Sequence, residues 1–281
     1  MAGKTCLVTG ATSGIGEVTA IELAELGASV ILVGRSPTRL QATAERIHKR
    51  APGVLVETIQ ADLTRQAEVL RVAAEVKGRH RKLDVLVNNA GAAYPTRRES
   101  GDGIELTWAL NHMAYFLLTR ELLELLKASA PSRVVSVASD AHRMVSGIDF
   151  EDPEWKRKKY QSFRVYGHSK LANILFAREL ARRLAGTGVT SNALHPGFVS
   201  TRFGESGTGF SRYLWDAAMY LAISPQEGAR TPVYLASSPE VEGETGEYYY
   251  KCKVAKTTPA GRDAAMAERL WELSEGMLRR G

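Results

Sequence analysis

The chain has 281 residues, 44% of them hydrophobic and 24% charged, which suits a globular protein able to bury a sizeable core. Its 37 Lys and Arg against 31 Asp and Glu give a net charge of +6, enough to favour an anionic ligand but short of a nucleic-acid footprint. The densest basic run, KRKK at 156–159, is short and reads as solvated surface, so no nucleic-acid partner is expected.

Along the chain, short apolar runs alternate with longer amphipathic stretches. TCLVTG (5–10) predicts a buried strand, followed by a helix over about 15–27. SVILVG (29–34) predicts a second strand with a helix across 37–50, and VLVETIQAD (54–62) a third with a helix near 65–77. LDVLVNNAG (83–91) predicts a fourth, then a long helix near 103–127. SRVVSVAS (132–139) and GVTSNALHPG (188–197) are the fifth and sixth, with a helix carrying Tyr166 and Lys170 between them. GEYYYKC (246–252) is a candidate seventh, and 262–279 an amphipathic helix. Buried runs separated by helical crossovers imply an α/β fold: a doubly wound parallel sheet of about seven strands, helices on both faces. No linker interrupts the first six units, so 1–281 reads as one domain. Its nucleotide-binding half spans about 1–130 and its catalytic and substrate half about 131–281. Two segments break the rhythm, an insert at 140–163 and a lid at 202–226. Both follow C-terminal strand ends, where open α/β sheets bind ligands.

Cys6 and Cys252 are the only cysteines; neither a disulfide framework nor a metal-ligand spacing follows, and a reducing cytoplasm is expected. The N-terminus runs into KTCLVTG without a signal-peptide core. No apolar run approaches the roughly 20 residues of a membrane span, so a soluble protein without a transmembrane segment is expected.

The turn after the first strand, TGATSGIG, sets Gly10, Gly14 and Gly16 between a strand and a helix. Glycines let the backbone pass close to a pyrophosphate, and the helix N-terminus adds free N–H groups and positive dipole. The second strand ends in VGRSPTRL, with no acid to bond a ribose 2′-hydroxyl but with Arg35 and Arg39. A guanidinium suits a 2′-phosphate, so NADP(H) is expected over NAD(H). In RVYGHSKLAN, Tyr166 and Lys170 lie one helical turn apart. A cation beside a phenol favours the phenolate and lowers its usual pKa of about 10.

TGATSGIG (9–16), NNAG (88–91), Asn111, Ser139, YGHSK (166–170) and HPG (195–197), in that order, resemble a classical short-chain dehydrogenase/reductase. SDAH after the fifth strand, SKLAN after the tyrosine, and YYYKCK with AERLWELS near the end are most similar to its retinol dehydrogenase-like branch. The resemblance implies a Rossmann fold and the following roles. Tyr166 exchanges a proton with a carbonyl or alcohol; Lys170 bonds the nicotinamide ribose and holds the phenol's pKa down. Ser139 bonds the substrate oxygen, and Asn111 holds a water linking Lys170 to solvent. Gly10, Thr12, Ser13, Gly14, Ile15 and Gly16 form the pyrophosphate turn. Asp62 with Leu63 meets the adenine; Asn88, Ala90 and Gly91 run beside the adenosine ribose. Pro196, Gly197, Val199 and Thr201 position the nicotinamide.

Ser136 and Ser169 compete with Ser139, which is preferred because it closes its strand. The 27-residue gap from Ser139 to Tyr166 holds the insert, as in the retinol-type branch. His195, at a strand end before Pro-Gly, reads as structural. A Ser-Tyr-Lys acyl-transfer nucleophile lacks a nucleophile elbow, and a sugar-nucleotide epimerase would carry a different glycine spacing. The lid's Phe203, Phe210, Tyr213, Trp215, Met219 and Tyr220 suit an apolar carbonyl or alcohol. The expected activity is NADP(H)-dependent reduction of an aldehyde or ketone. A non-catalytic nucleotide-sensing protein, or a retinoid- or steroid-type dehydrogenase, is the alternative. Extra apolar residues on the helices at 103–127 and 166–184 suggest a homodimer paired through them.

Overall fold

The computed structural model describes residues 1–197 and 223–278. Apolar, β-branched runs form the centre of one sheet: β1 (Thr5–Thr9), β2 (Ser29–Gly34), β3 (Val56–Gln60), β4 (Val85–Asn88), β5 (Ser132–Val137) and β6 (Val189–Leu194). β7 (Tyr248–Tyr250) and β8 (Lys253–Val254) complete it in the order β3-β2-β1-β4-β5-β6-β7-β8. The first seven strands are parallel and β8 is antiparallel. The chain reverses direction of travel between β1 and β4, which opens a crevice above their C-terminal ends.

The helices follow as crossovers. These are α1 (Gly14–Glu25), α2 (Pro37–Arg50), α3 (Gln66–Arg79), α4 (Leu106–Trp108), α5 (Ala114–Ala128), α6 (Ser162–Arg183), α7 (Pro225–Ser237) and α8 (Ala264–Leu278). Strand side chains alternate between faces. Leu7, Ile31 and Leu86 meet Val72 and Val76 of α3, Leu118 and Leu122 of α5, and Phe176 of α6. Val8, Leu32 and Val87 meet Leu23 of α1, Leu40 and Ile47 of α2, and Leu235 of α7.

Four features depart from the sequence reading. The run 246–252 is not one strand: Lys251 (φ 48°) and Cys252 (φ 59°) make a two-residue turn into β8, adding an eighth strand. The long helix near 103–127 is interrupted by a π-helical turn, Ala109–Met113, between α4 and α5. α7 begins at the end of the expected lid and was not foreseen, because its glycine and internal Pro232 weaken the helical pattern.

The fourth departure removes the argument for a homodimer. Leu117, Leu118, Leu122 and Leu126 on α5 and Leu171, Ile174, Leu175, Phe176 and Leu180 on α6 are all buried within the chain; Leu123 and Leu125 pack partly buried against the same core. α8 supplies the cover on α6, with Trp271 stacked on Phe176 (6.0 Å between centroids) and set edge-on to Phe116 (4.8 Å). The second apolar stripe of α6 therefore meets the chain's own last helix, while α5 packs against α3.

The insert packs down on the start of α4. Buried Glu105 accepts from Thr107 N (3.0 Å), Trp108 N (2.7 Å) and Tyr160 Oη (3.0 Å), and its own N–H donates to Glu154 Oε2 (3.1 Å). Glu105→Ala strands two buried N–H donors and should cost about 2–3 kcal/mol in urea unfolding; Glu105→Gln, which keeps one acceptor oxygen, should fall between it and wild type.

Candidate active site

The glycine turn is pressed against the end of β4. Gly10 (φ 67°) and Gly14 (φ 57°) adopt left-handed backbone. A Cβ on Gly16 would collide with Asn89 Nδ2 and come within 2.5 Å of Gly10 O. Thr9 and Asn89, which the sequence reading passed over, hold this junction. Thr9 Oγ1 accepts from Asn89 N (2.9 Å) and Ala90 N (3.1 Å), and Asn89 Nδ2 donates to Thr9 O (2.8 Å). Ser13 begins α1 without a side-chain cap, which leaves the first-turn N–H groups at Ile15 and Gly16 facing the crevice end of the helix. Thr12 packs over Gly34 at the end of β2.

Next to Thr12, Arg35 and Arg39 are exposed, and neither forms an ion pair with a described residue. Ser36 caps α2 by accepting from Arg39 N (3.3 Å). Asp62 accepts from Thr64 N (3.1 Å) and Thr64 Oγ1 (2.9 Å), which fixes the loop after β3, while Leu63 is buried. Tyr94, not singled out in the sequence, lies close enough to Arg35 and Asp62 for both charges to act on its phenol; burial raises that phenol's pKa.

Asn88 and its neighbours separate in space. The Asn88 side chain points into the core and donates to Thr119 Oγ1 (2.9 Å), so only its backbone faces the crevice edge. Ala90 and Gly91 run along the crevice. A Cβ on Gly91 would sit 3.2 Å from Asn111 Oδ1 and 3.3 Å from Lys170 Nζ, so this loop links the nucleotide end to the lysine.

Asn111 occupies the π-helical turn, fully buried. Its Oδ1 accepts from Ala92 N (2.8 Å), and Nδ2 donates to Ala92 O (3.0 Å) and Ser169 Oγ (2.9 Å). With both Nδ2 protons engaged, a water at Asn111 must use the second lone pair of Oδ1 or a carbonyl freed by the π turn.

Ser139 and Tyr166 come together across the 27-residue gap, close enough for the serine hydroxyl to act on the phenol's ionisation. Gly167 makes this possible: it is buried against the 3₁₀ turn Asp140–Met144, and a Cβ there would overlap Ala141 O. Ser139 Oγ also accepts from Ala141 N (3.2 Å). The rival serines have other surroundings. Ser136 is fully buried within β5 without a hydrogen-bond partner, and Ser169 Oγ donates to Tyr166 O (2.8 Å) behind the tyrosine. Lys170 Nζ donates to Val137 O (2.9 Å) and stands 5.5 Å from the Tyr166 ring centroid and 5.7 Å from that of Tyr115.

His195 is structural in its contacts: Nδ1 bonds Tyr248 Oη (2.6 Å), and the ring stacks on Tyr250 at 4.0 Å. Pro196 and Gly197 (φ 95°) follow at the end of β6. Val199, Thr201 and the aromatic lid residues from Phe203 to Tyr220 lie outside the described residues.

The short chain dehydrogenase family model matches residues 4–149 and 154–208. The chain belongs to this family. Human retinol dehydrogenase 14 is 42% identical over 297 residues, covering 99% of this chain and 87% of its own, which places the chain in the retinol dehydrogenase-like branch. A solved structure of an uncharacterized protein from Mycobacterium paratuberculosis superposes with a TM-score of 0.79 at 33% identity, covering 99% of this chain and 94% of that one. The Pseudomonas aeruginosa RhlG/NADP active-site complex gives 0.70 at 28% identity, covering 93% and 97%. This short-chain dehydrogenase is therefore an oxidoreductase acting on alcohol or carbonyl groups with a nicotinamide cofactor. The residues present fit such a dinucleotide: a turn closed to any Cβ, a helix end without a side-chain cap, and Gly91 leaving room beside Lys170. Among the described residues, no group of three His, Cys, Asp or Glu side chains is placed to hold a metal ion, and no helix is long and apolar enough to cross a membrane.

The electrostatics of this short-chain dehydrogenase correct one expectation. Lys170 does not hold the Tyr166 pKa below its usual value in the protein alone. Burial pushes the phenol up to about 12, outweighing the opposite pull of the Ser139 hydroxyl. The same burial pushes Lys170 down to about 7. Both groups sit in one desolvated pocket, so each favours its neutral form. For Lys170 the native pKa lies below the unfolded value of 10.5, so the unfolded chain binds more protons between about pH 7 and 10.5. Stability gained from this group therefore rises with pH across that window and is at its minimum below it. Lys170→Met should be more stabilising at pH 7 than at pH 9.5, read as the difference in Tm from wild type. A gap that widens with pH would reverse the sign.

Proposed function

We propose that this protein reduces an apolar aldehyde or ketone with NADPH, Tyr166 giving the proton. The observation that carries the reading is the convergence of Tyr166 with Ser139 and Lys170 beside the glycine turn. The cofactor supplies the hydride. Tyr166 Oη, protonated at neutral pH as any phenol is and held so more firmly by burial, delivers its proton to the substrate oxygen as negative charge develops there. Ser139 donates its hydroxyl proton to the same oxygen while Oγ continues to accept from Ala141 N, which fixes its direction. In its charged form, which the tyrosinate beside it favours, Lys170 has one N–H committed to Val137 O and two left to bond ribose hydroxyls and that tyrosinate. Asn111 keeps the loop at Ala92 in place and, through water, connects Lys170 to solvent for reprotonation.

Support for NADP(H) comes from Arg35 and Arg39, exposed without ion pairs to described residues, and from the absence of an acid at the end of β2. The RhlG relative was solved with NADP. Apolar substrates are supported by the lid's aromatic sequence and by the likeness to retinol dehydrogenase 14, retinol being an apolar alcohol. The direction follows from a cytoplasmic setting, itself part of the proposal, in which NADPH is held mostly reduced.

Purified protein should consume NADPH with a panel of aldehydes and ketones. Tyr166→Phe should lower kcat by about 10²–10⁴-fold while leaving the Kd for NADPH nearly unchanged, because the ring remains and only the proton is lost. Normal turnover by Tyr166→Phe would sink the assignment. Arg35→Asp should weaken NADPH and improve NADH, since a carboxylate repels a 2′-phosphate and accepts from a 2′-hydroxyl. Initial rates that favour NADH in wild type would refute the NADP reading.

A further inference from the structure

A cavity of about 280 Å³ lies between the first turns of α6 and the insert, and the chemistry above makes no use of it. Gln161, Arg164 and His168 line it from α6, at a spacing that keeps them on one helix face. Tyr166 is two residues from both Arg164 and His168, about 200° round the helix, so the cavity and Tyr166 lie on opposite sides of α6. The insert supplies the facing wall through Asp149, Trp155, Lys158 and Lys159.

That wall is held by the insert's own bonds. Asp149 Oδ1 accepts from Glu151 N and Asp152 N, both at 3.1 Å. Trp155 N donates to Asp152 O (3.2 Å), and the Asp152 carboxylate accepts from Lys156 N (2.6 Å) and Arg157 N (3.0 Å). Between these bonds Trp155 keeps φ 54°, a left-handed backbone that a bulky residue rarely adopts. Lys158 Nζ stands 4.1 Å from the Trp155 ring centroid and 2.5 Å from Asp149 Oδ2.

Two features point to an anion. The first is a pair of unmatched donors. His168 Nε2 accepts from the backbone N–H of Asp149 (3.1 Å), so this nitrogen carries no proton and the ring's proton is on Nδ1. That buried Nδ1–H has no acceptor among the described residues, and neither has the buried Nε1–H of Trp155. The second is charge. Lys158, Lys159 and Arg164 line the cavity against one carboxylate, Asp149. Lys159 and Arg164 are exposed, and neither forms an ion pair with a described residue. Nearby, Lys156 pairs with Glu154 (3.1 Å) and Asp152 sits against the backbone of Arg157, so the charges just outside the lining cancel. Two positive charges are left over in the cavity. A phosphate monoester, at about −1.5 to −2 near pH 7, matches them, whereas a carboxylate or a phosphodiester would leave one uncompensated.

We propose that this cavity binds a phosphate monoester through Arg164 and Lys159, at a site apart from the dinucleotide crevice. The guanidinium takes two phosphate oxygens in its fork, and the ammonium acts as a point charge on the third. A soluble ester and a phosphatidic acid headgroup offer the same group.

Calorimetric titration of the full chain with glycerol 3-phosphate, NADPH already bound, tests the site. Saturable binding is expected; its loss once NADPH is present would put the ester in the crevice and overturn the proposal. Lys159→Ala combined with Arg164→Ala should weaken binding about tenfold or more, the scale of losing a charge-assisted bond. The ligand-free Tm should hold, since both side chains are exposed. Lys156→Ala combined with Arg157→Ala removes the same charge from outside the cavity and should leave the affinity near wild type. Equal losses in the two pairs would mean a diffuse basic surface and overturn the proposal. Affinity should also rise with pH through about 6, where the monoester gains its second charge. Of the groups facing it, Lys158, Lys159 and Arg164 supply the positive charge. Asp149 is held below its usual pKa by Lys158, and burial holds His168 at about 4, so neither changes charge there. A flat profile would refute the charge match. Co-sedimentation with phosphatidylcholine vesicles separates the two sources. Retention by added phosphatidic acid but not by phosphatidylserine, lost in Lys159→Ala/Arg164→Ala, assigns the headgroup; binding of glycerol 3-phosphate without retention assigns a soluble ester. Binding of neither probe overturns the proposal.

Discussion

Lys170 Nζ is held on the carbonyl oxygen of Val137 in a pocket where, among the described residues, no acidic group acts on it. Burying an ammonium without a carboxylate is costly, so its position depends on that one oxygen and on what keeps the oxygen in place. Val137 is the last residue of β5, and β5 lies between β4 and β6 in the middle of the sheet. The strand is thus fixed on both edges, and the lysine takes its coordinates from the most constrained part of the fold. Ser139, two residues further on, takes its position from the same strand.

Tyr166 reaches this point from a different direction, on α6. The approach of α6 to the turn after β5 is set by Gly167, where the backbone meets Ala141 O with no room for a side chain. A tyrosine and a serine 27 residues apart are thereby brought close enough for the serine hydroxyl to act on the phenol, although the intervening insert is long enough to have placed them anywhere. The insert is itself fastened to the start of α4 through Glu105, Glu154 and Tyr160, next to the π-helical turn that holds Asn111. One desolvated pocket then acts on both titrating groups, raising the phenol and lowering the ammonium. A neutral phenol is the form that can give a proton, and the depressed lysine is readily returned to its charged form when negative charge appears on the tyrosine.

The last helix does more than close the core. Trp271 covers Phe116 and Phe176, burying the stripe that the sequence seemed to offer to a second copy of the chain. From the same helix Ser274 reaches His112, one residue from Asn111. Apolar cover on α6 and a polar contact to the π-helical turn therefore come from one element that begins nearly a hundred residues after Tyr166.

The sheet and its first three crossovers were legible because period and punctuation agree there: β2 and α2 occupy the residues their apolar runs and Ser-Pro start predict. The glycine turn and Tyr166–Lys170 were legible for a similar reason, since each is a local pattern whose geometry follows from one turn or one helix. The arginines at the end of β2 were equally readable, being fixed by strand length alone. What escaped depended on contacts between distant segments. Thr9 and Asn89 matter because β1 and β4 are neighbours, and Gly167 because α6 meets the turn after β5. Leucines on α5 and α6 looked free because nothing local says that α3 will pack on α5 and α8 on α6. Asn88 and Asn89 stand side by side in one motif, yet strand alternation sends the first into the core and the second to the turn. The pKa values of Tyr166 and Lys170 belong to the same class. Sequence spacing puts the two groups on one helix face, but only the packed interior decides how much water they lose, and that loss outweighs their mutual proximity.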